Sequence, residues 1–146
     1  MKRKLFLSIL SGLFLIILFC FGYKYQDFLC ENFKELIIPF TKKPTISVLM
    51  SSYNMGDTLP RAINSIMAQT YTDWEIILIN DGSTDNTKEA LRPYRKNLKI
   101  RTITNNKNLG LIPSLNKGLK RVRGKFIARH DADDISYPTR FERSLN

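Results

Sequence analysis

Histidine occurs once, at His130, and cysteine twice, at Cys20 and Cys30. One histidine cannot build a histidine-rich metal centre, and two cysteines make neither a disulfide framework nor a zinc site. Both cysteines fall in or just after an apolar run, where small buried residues are ordinary. No G-x-G-x-x-G and no G-x-x-x-x-G-K-[ST] follows any strand-like segment, which argues against a dinucleotide cofactor and against P-loop hydrolysis. Acid is scarce as well: 13 Asp and Glu stand against 23 Lys and Arg, a formal charge of +10. Such an excess raises nucleic acid as a partner, but the sequence has no basic helix and no aromatic ladder. Nucleic acid is therefore not expected, and phosphate-bearing small molecules or acidic lipid headgroups suit the charge better.

Charge is wholly absent from Leu5 to Tyr23, behind the basic start Met1-Lys2-Arg3-Lys4. At about 1.5 Å per residue this run spans a hydrocarbon core of about 30 Å. A cleavable signal peptide competes, but Phe19 and Phe21 put bulk beside Cys20 where cleavage needs small residues. The expectation is an uncleaved single-pass membrane anchor over 1–24. The basic N-terminus points to the cytoplasm while Lys24, Asp27, Glu31 and Lys34 roughly cancel, which taken literally puts the domain across the membrane from the cytoplasm and leaves its side undetermined. Leu29, Phe33, Leu36, Ile37 and Phe40 recur at helical spacing and make 25–44 an amphipathic neck, lying on the membrane or on the domain. The remainder, 45–146, has room for one domain of roughly 100 residues.

Within that domain, Thr45 to Met50 is short, β-branched and apolar, as a strand buried on both faces is. After Ser51-Ser52-Tyr53-Asn54, the spacing of Leu59, Ala62, Ile63, Ile66 and Met67 predicts a helix. Asp57 or Thr58 is its expected N-cap, with Pro60 in the first turn. A second strand is expected over Glu75 to Asn80, then a helix from about Thr84 to Arg92 stopped by Pro93. A third, Lys99 to Thr104, leads through Asn105 to Gly110 into a helix with Leu111, Leu115, Leu119 and Val122 as its apolar face. Gly124 is expected to end that helix, and a fourth strand runs from Lys125 to Asp131. Alternating strands and helices imply an α/β fold with a parallel sheet.

Asp131, Asp133 and Asp134 crowd three carboxylates into four residues, which repel one another unless a cation sits among them. Alone, the cluster also reads as a solvated turn. An EF-hand fails, since Ile135 and Ser136 occupy the fifth and sixth loop positions where a ligand and a glycine belong. Asp81-Gly82-Ser83 alone reads as a strand-to-helix turn with Ser83 or Thr84 as N-cap. Together, two acidic strand ends in one parallel sheet point to a site for a metal and a phosphorylated ligand. Arg129 and His130 either touch phosphate or are strand residues with satisfied side chains.

The motifs Ser51-Ser52-Tyr53-Asn54, Ser65 to Tyr71, Asp81 to Thr87, Asn108-Leu109-Gly110 and Asp131-Ala132-Asp133-Asp134, in this order, resemble the donor-binding half of family 2 glycosyltransferases. The resemblance implies a GT-A, Rossmann-like parallel sheet with flanking helices; it is expected here in truncated form, preceded by the one transmembrane helix read from the uncharged run. It implies transfer of a sugar from a nucleotide-diphosphate donor, UDP by default, with inversion and with Mn²⁺ or Mg²⁺. Ser51, Ser52, Tyr53, Asn54, Asp81, Gly82, Ser83 and Asp131 match the nucleotide-sugar-binding positions, and Asp131 and Asp133 match the metal-binding DxD pair. The general base of that family lies well downstream of DxD and is not among these residues. A truncated product that keeps the donor half only, or an enzyme completed by a second chain that supplies the acceptor half, both fit this, and the alternative is an inactive nucleotide-sugar- or metal-binding membrane module.

Overall fold

A computed structural model of the chain describes residues 43–145. The expected anchor at 1–24, and the neck at 25–44 except its last two residues, lie outside the described part. Among the described residues no helix is long and apolar enough to cross a membrane.

The apolar runs become four parallel strands: β1 (Ile46–Ser52), β2 (Trp74–Asn80), β3 (Ile100–Thr104) and β4 (Phe126–Arg129). Their spatial order is β3-β2-β1-β4. The chain winds outward from β1 through β2 to β3, then returns to set β4 on the free side of β1. The winding direction thus reverses between β1 and β4, and a crevice opens at such a switch point, beyond the carboxyl ends of the strands. β2 is buried at all seven positions. Two-sided burial explains why Ile76 to Ile79 reads as a continuous apolar run and not as an alternation.

Helix α1 (Leu59–Met67) lies on one face of the sheet. Its Leu59, Ala62, Ile63 and Ile66 pack with Val48, Met50, Ile76 and Leu78. Burying each of these larger side chains contributes roughly 1.5–3 kcal/mol relative to exposure. On the other face, Leu49, Ile77 and Ile79 meet Leu115 and Val122 from the segment that begins with helix α3 (Leu111–Leu119). Helix α4 (Arg140–Leu145) sends Phe141 into the first cluster.

Several boundaries differ from expectation. β1 runs on through Ser52, because parallel pairing with β2 continues to Ser52 and Asn80. The helix expected over Thr84 to Arg92 is only α2 (Thr87–Ala90), followed by a 3-10 helix at Arg92–Lys96. Pro93 sits in the first turn of that 3-10 helix, where its missing N–H costs nothing. Neither Ser83 nor Thr84 caps α2, whose N-cap position is Asn86. Thr58 holds the N-cap position of α1 without a side-chain capping bond, and Met67 is exposed.

The expected face of α3 is corrected most. Leu111 and Leu119 are 49% and 43% exposed, and the buried residues of the helix are Ser114 and Gly118. A Cβ at Gly118 would stand 2.5 Å from the Cδ1 atoms of Ile79 and Leu49, so the close seat of the helix requires glycine there. Gly124 does not end the helix. It lies beyond Leu119 and donates its N–H to Ser47 Oγ (2.8 Å), in space where a Cβ would meet Ser47 at 2.6 Å.

At the amino ends of the strands, Glu75 is buried and ties four segments together. It accepts from Ser47 Oγ (2.7 Å), from Arg123 Nε (3.0 Å) and Nη2 (2.8 Å), and from Arg101 (3.2 Å). Burial raises its pKa, but the bonds from Ser47 and Arg123 and the Arg101 charge outweigh burial and hold it below 4.5. This network lies at the end of the sheet opposite the switch point.

Candidate functional site

The first loop leaves β1 at Ser52 and turns at Asn54, which has φ +53°. Asparagine tolerates this left-handed conformation better than most residues. Four backbone and side-chain bonds then stitch the loop to the turn after β2. Asn54 N–H donates to Ser83 Oγ (3.0 Å), and Asn54 Oδ1 accepts from Thr84 N–H (2.9 Å). Met55 N–H donates to Thr87 Oγ1 (3.1 Å), and Gly56 N–H to Asp85 Oδ2 (3.0 Å). Asp85 also accepts from Thr87 Oγ1 (2.5 Å) and Thr87 N–H (3.0 Å). Partial desolvation raises the Asp85 pKa, and the bonds from Thr87 and Gly56 overcome it and bring the carboxyl below its ordinary value.

Asp81 is 2% exposed and anchors the loop after β3. Its Oδ1 accepts from Asn105 Nδ2 (2.7 Å) and Leu109 N–H (2.9 Å), and its Oδ2 from Gly110 N–H (2.8 Å). Burial acts to raise its pKa, but bonds from Asn105, Leu109, Ser114 and Gly110 prevail, and the carboxyl is held below 3.8. A carboxylate offers about four lone-pair sites, so most of its capacity serves its own chain. Gly82 has φ +69°, and a Cβ there would lie 2.3 Å from the Lys107 carbonyl carbon. The loop after β3 therefore crosses directly over Gly82.

The third wall of the crevice is the turn after β4. His130 N–H donates to Leu49 O (3.1 Å), which carries the β4–β1 pairing one residue past β4. Asp131 is half-exposed and accepts both bonds of the Arg129 guanidinium, at 2.9 and 3.1 Å. Asp133 and Asp134 are exposed. His130 is buried, its Nε2 3.4 Å from Ser65 Oγ, so it is a packed strand-end residue. Burial first, and the Arg140 charge second, hold its pKa below 6.5 against the pull of Asp134 and Asp131.

Ser65 and Gln69 of the Ser65 to Tyr71 motif place the segment that follows the acidic turn. Ser65 Oγ accepts from Ser136 N–H (3.0 Å). Gln69 Nε2 donates to Tyr137 O (2.7 Å), and Gln69 Oε1 accepts from Phe141 N–H (3.2 Å). Thr70 N–H donates to Pro138 O (2.9 Å), and Arg140 holds both Ser136 Oγ (2.8 Å) and Arg129 O (3.0 Å). These positioning roles, like those of Asn105 and Asp85, are not apparent from residue type or spacing.

The structure thus joins Ser51 to Asn54 with Asp81 to Ser83 through direct bonds, while Asp131 and Asp133 stand across the switch point without a bond to either loop among the described residues. Ser51 is half-buried, and Ser52 is buried with its hydroxyl unpartnered. Tyr53 is 40% exposed. Among the described residues, no three His, Cys, Asp or Glu side chains form a closed metal cluster. Asp131 and Asp133 instead offer hard oxygens from an open turn, a donor set that suits Mg²⁺ or Mn²⁺ when phosphate and water supply the remaining ligands.

Residues 47–146 match the family model described as Glycosyl transferase family 2. An uncharacterized glycosyltransferase of Haemophilus influenzae is 46% identical over 101 residues, covering 68% of this chain and 31% of that protein. The crystal structure of Staphylococcus aureus TarS 1-349 in complex with UDP-GlcNAc superposes with a TM-score of 0.65 at 25% identity, over 69% of this chain and 30% of that one. A mannosyltransferase from Pyrobaculum calidifontis, solved with GDP-Man and Mn²⁺, gives 0.60 at 25% identity, over 68% and 30%. The chain spans about a third of the length of the curated relatives it matches.

Proposed function

This chain belongs to glycosyl transferase family 2, and from that premise we propose that it forms the donor-binding half of a membrane-anchored, metal-dependent, inverting glycosyltransferase. The observation that carries this reading is the placing of Ser51 to Asn54 and of Asp131 to Asp134 on the two sides of the β1–β4 switch point. In parallel sheets that crevice is where nucleotides lie.

In this reading the nucleoside of the donor rests on the first loop, with the Tyr53 ring against it. The remaining acceptor capacity of Asp81 meets the base. Rigidity comes from the bonds linking Asn54 and Gly56 to Ser83, Thr84 and Asp85, which preorganise the floor before a donor arrives. Asp131 and Asp133 would hold Mn²⁺ or Mg²⁺ for the donor diphosphate, with Asp131 giving up its exposed Arg129 partner. When bound, the ion supplies charge neutralisation for a leaving group that becomes more negative as the sugar departs. Arg129, once released, stands next to the same phosphates.

Inversion requires a base on the face of the sugar opposite the diphosphate. That base and the acceptor-binding surface are proposed to come from outside these 146 residues, in a second polypeptide or in further sequence. The neighbours bound to UDP-GlcNAc and to GDP-Man support a nucleoside-diphosphate sugar as the ligand class.

Calorimetric titration of the full chain with UDP and with GDP, with and without Mn²⁺, tests the proposal. Metal-dependent binding that Asp133→Asn abolishes is the expected outcome. A folded chain that binds neither nucleotide, or binds equally well without metal, would sink it. Transfer or donor hydrolysis by the chain then separates enzyme from binding module.

A further inference from the structure

Period-two alternation puts Thr102 and Thr104 of β3 on the same face as Ile100, which belongs to the core cluster on the α1 side. Between that face of the edge strand and the segment formed by α2 and the 3-10 helix lies a cleft of about 280 Å³. Its polar wall consists of Asn80, Lys88, Arg95, Thr102 and Thr104, over an aliphatic floor of Leu91 and Ile100. No acidic side chain lines it. Among the described residues Lys88 and Arg95 make no ion pair, and the two threonine hydroxyls make no hydrogen bond. Arg101, Arg123 and Arg129, by contrast, each hold a carboxylate.

Two unpaired cations, two free hydroxyls and an amide around one concavity match the acceptor-only oxygens of a phosphoryl group. The volume falls just below the range of about 300–1,000 Å³ typical of drug-sized sites, which suits a phosphoryl group on a small body. We propose that this cleft is an accessory site for a phosphate monoester, separate from the donor crevice. It is also connected to that crevice. Asn80 lines the cleft, and its Oδ1 accepts from Ser83 N–H (3.0 Å), while Ser83 Oγ accepts from Asn54 N–H (3.0 Å). A ligand held by the Asn80 amide therefore braces the turn and the first loop from behind.

The test is a nuclear magnetic resonance titration of the full chain with inorganic phosphate and with glucose 1-phosphate, in EDTA, at constant ionic strength with chloride as the control anion. Saturable shifts of the Thr102, Thr104 and Asn80 amides are expected. Lys88→Ala with Arg95→Ala should weaken the response by about tenfold or more. Thr102→Val, which removes a hydroxyl and no charge, should weaken it less. Asp133→Asn should leave it intact, so failure of the donor-site reading does not carry over. Tighter binding of glucose 1-phosphate than of phosphate would mean that the small body is also bound, and equal binding that the phosphoryl group alone is. Shifts matched by chloride, or saturable shifts that survive the double substitution, overturn the proposal.

Discussion

Asp81 gives up its water on folding and receives Asn105, Leu109 and Gly110 in return. Asp81→Asn should therefore cost about 2 kcal/mol or more in urea unfolding, since the new amide hydrogens face existing donors and leave backbone N–H groups unpaired. Glu75 makes stability depend on pH. Its folded pKa lies below its ordinary 4.5, so the unfolded chain takes up the proton first as pH falls. Its stabilisation is complete above about pH 4.5 and is lost as pH drops through the folded value. Urea midpoints measured across that range should fall steeply in the native chain and less steeply in Glu75→Gln, which should also be less stable at neutral pH by about 1–3 kcal/mol. Two acidic strand ends in one parallel sheet drew attention to Asp81 and to Asp131, Asp133 and Asp134, and only the family resemblance gave Asp81, Asp131 and Asp133 their expected roles. Neither said anything of Glu75, which in sequence is one acid beside a tryptophan.

Turns and helices depend on contacts that a local pattern does not contain. Gly82 combines φ +69° with a close crossing by Lys107. Gly82→Ala should destabilise by roughly 1–3 kcal/mol from backbone strain alone, with more from the clash, and calorimetric melting reads the loss. Gln69 joins α1 to both Tyr137 and Phe141. Gln69→Ala should speed hydrogen exchange at the Phe141 amide and weaken the proposed metal-dependent nucleotide binding while leaving the β-sheet amides protected. Helix α3 shows how periodicity misleads. Its stripe is half right: Leu115 packs on Leu49, Ile77 and Ile79 while Leu111 and Leu119 stay exposed, and the close approach to the sheet falls at Gly118, where a Cβ would meet Ile79 and Leu49.

On the scale of the whole molecule, β4 forms an edge of the described sheet, with Phe126 47% and Ile127 51% exposed. Leu111, Ile112 and Leu119 of α3 add further exposed apolar surface. An apolar open edge favours association between copies. Ile127→Lys should accordingly reduce concentration-dependent self-association in sedimentation velocity, without shifting the melting temperature by more than a few degrees. Equal association in both chains would show that the edge is not the contact.

The sequence by itself determined the strand and helix alternation, the parallel sheet and the acidic strand ends. Each of these follows from local burial, chain stiffness or charge repulsion, and those act over a few residues. Tertiary structure decided what touches what. The reversal between β1 and β4 puts residues about eighty apart, Ser51 to Asn54 and Asp131 to Asp134, on two sides of one crevice. It decided that Asp81 serves the loop after β3 and that a cationic cleft lies between β3 and the segment of α2 and the 3-10 helix. Those outcomes depend on side chains brought together by packing, and no spacing along the chain encodes the distance between them.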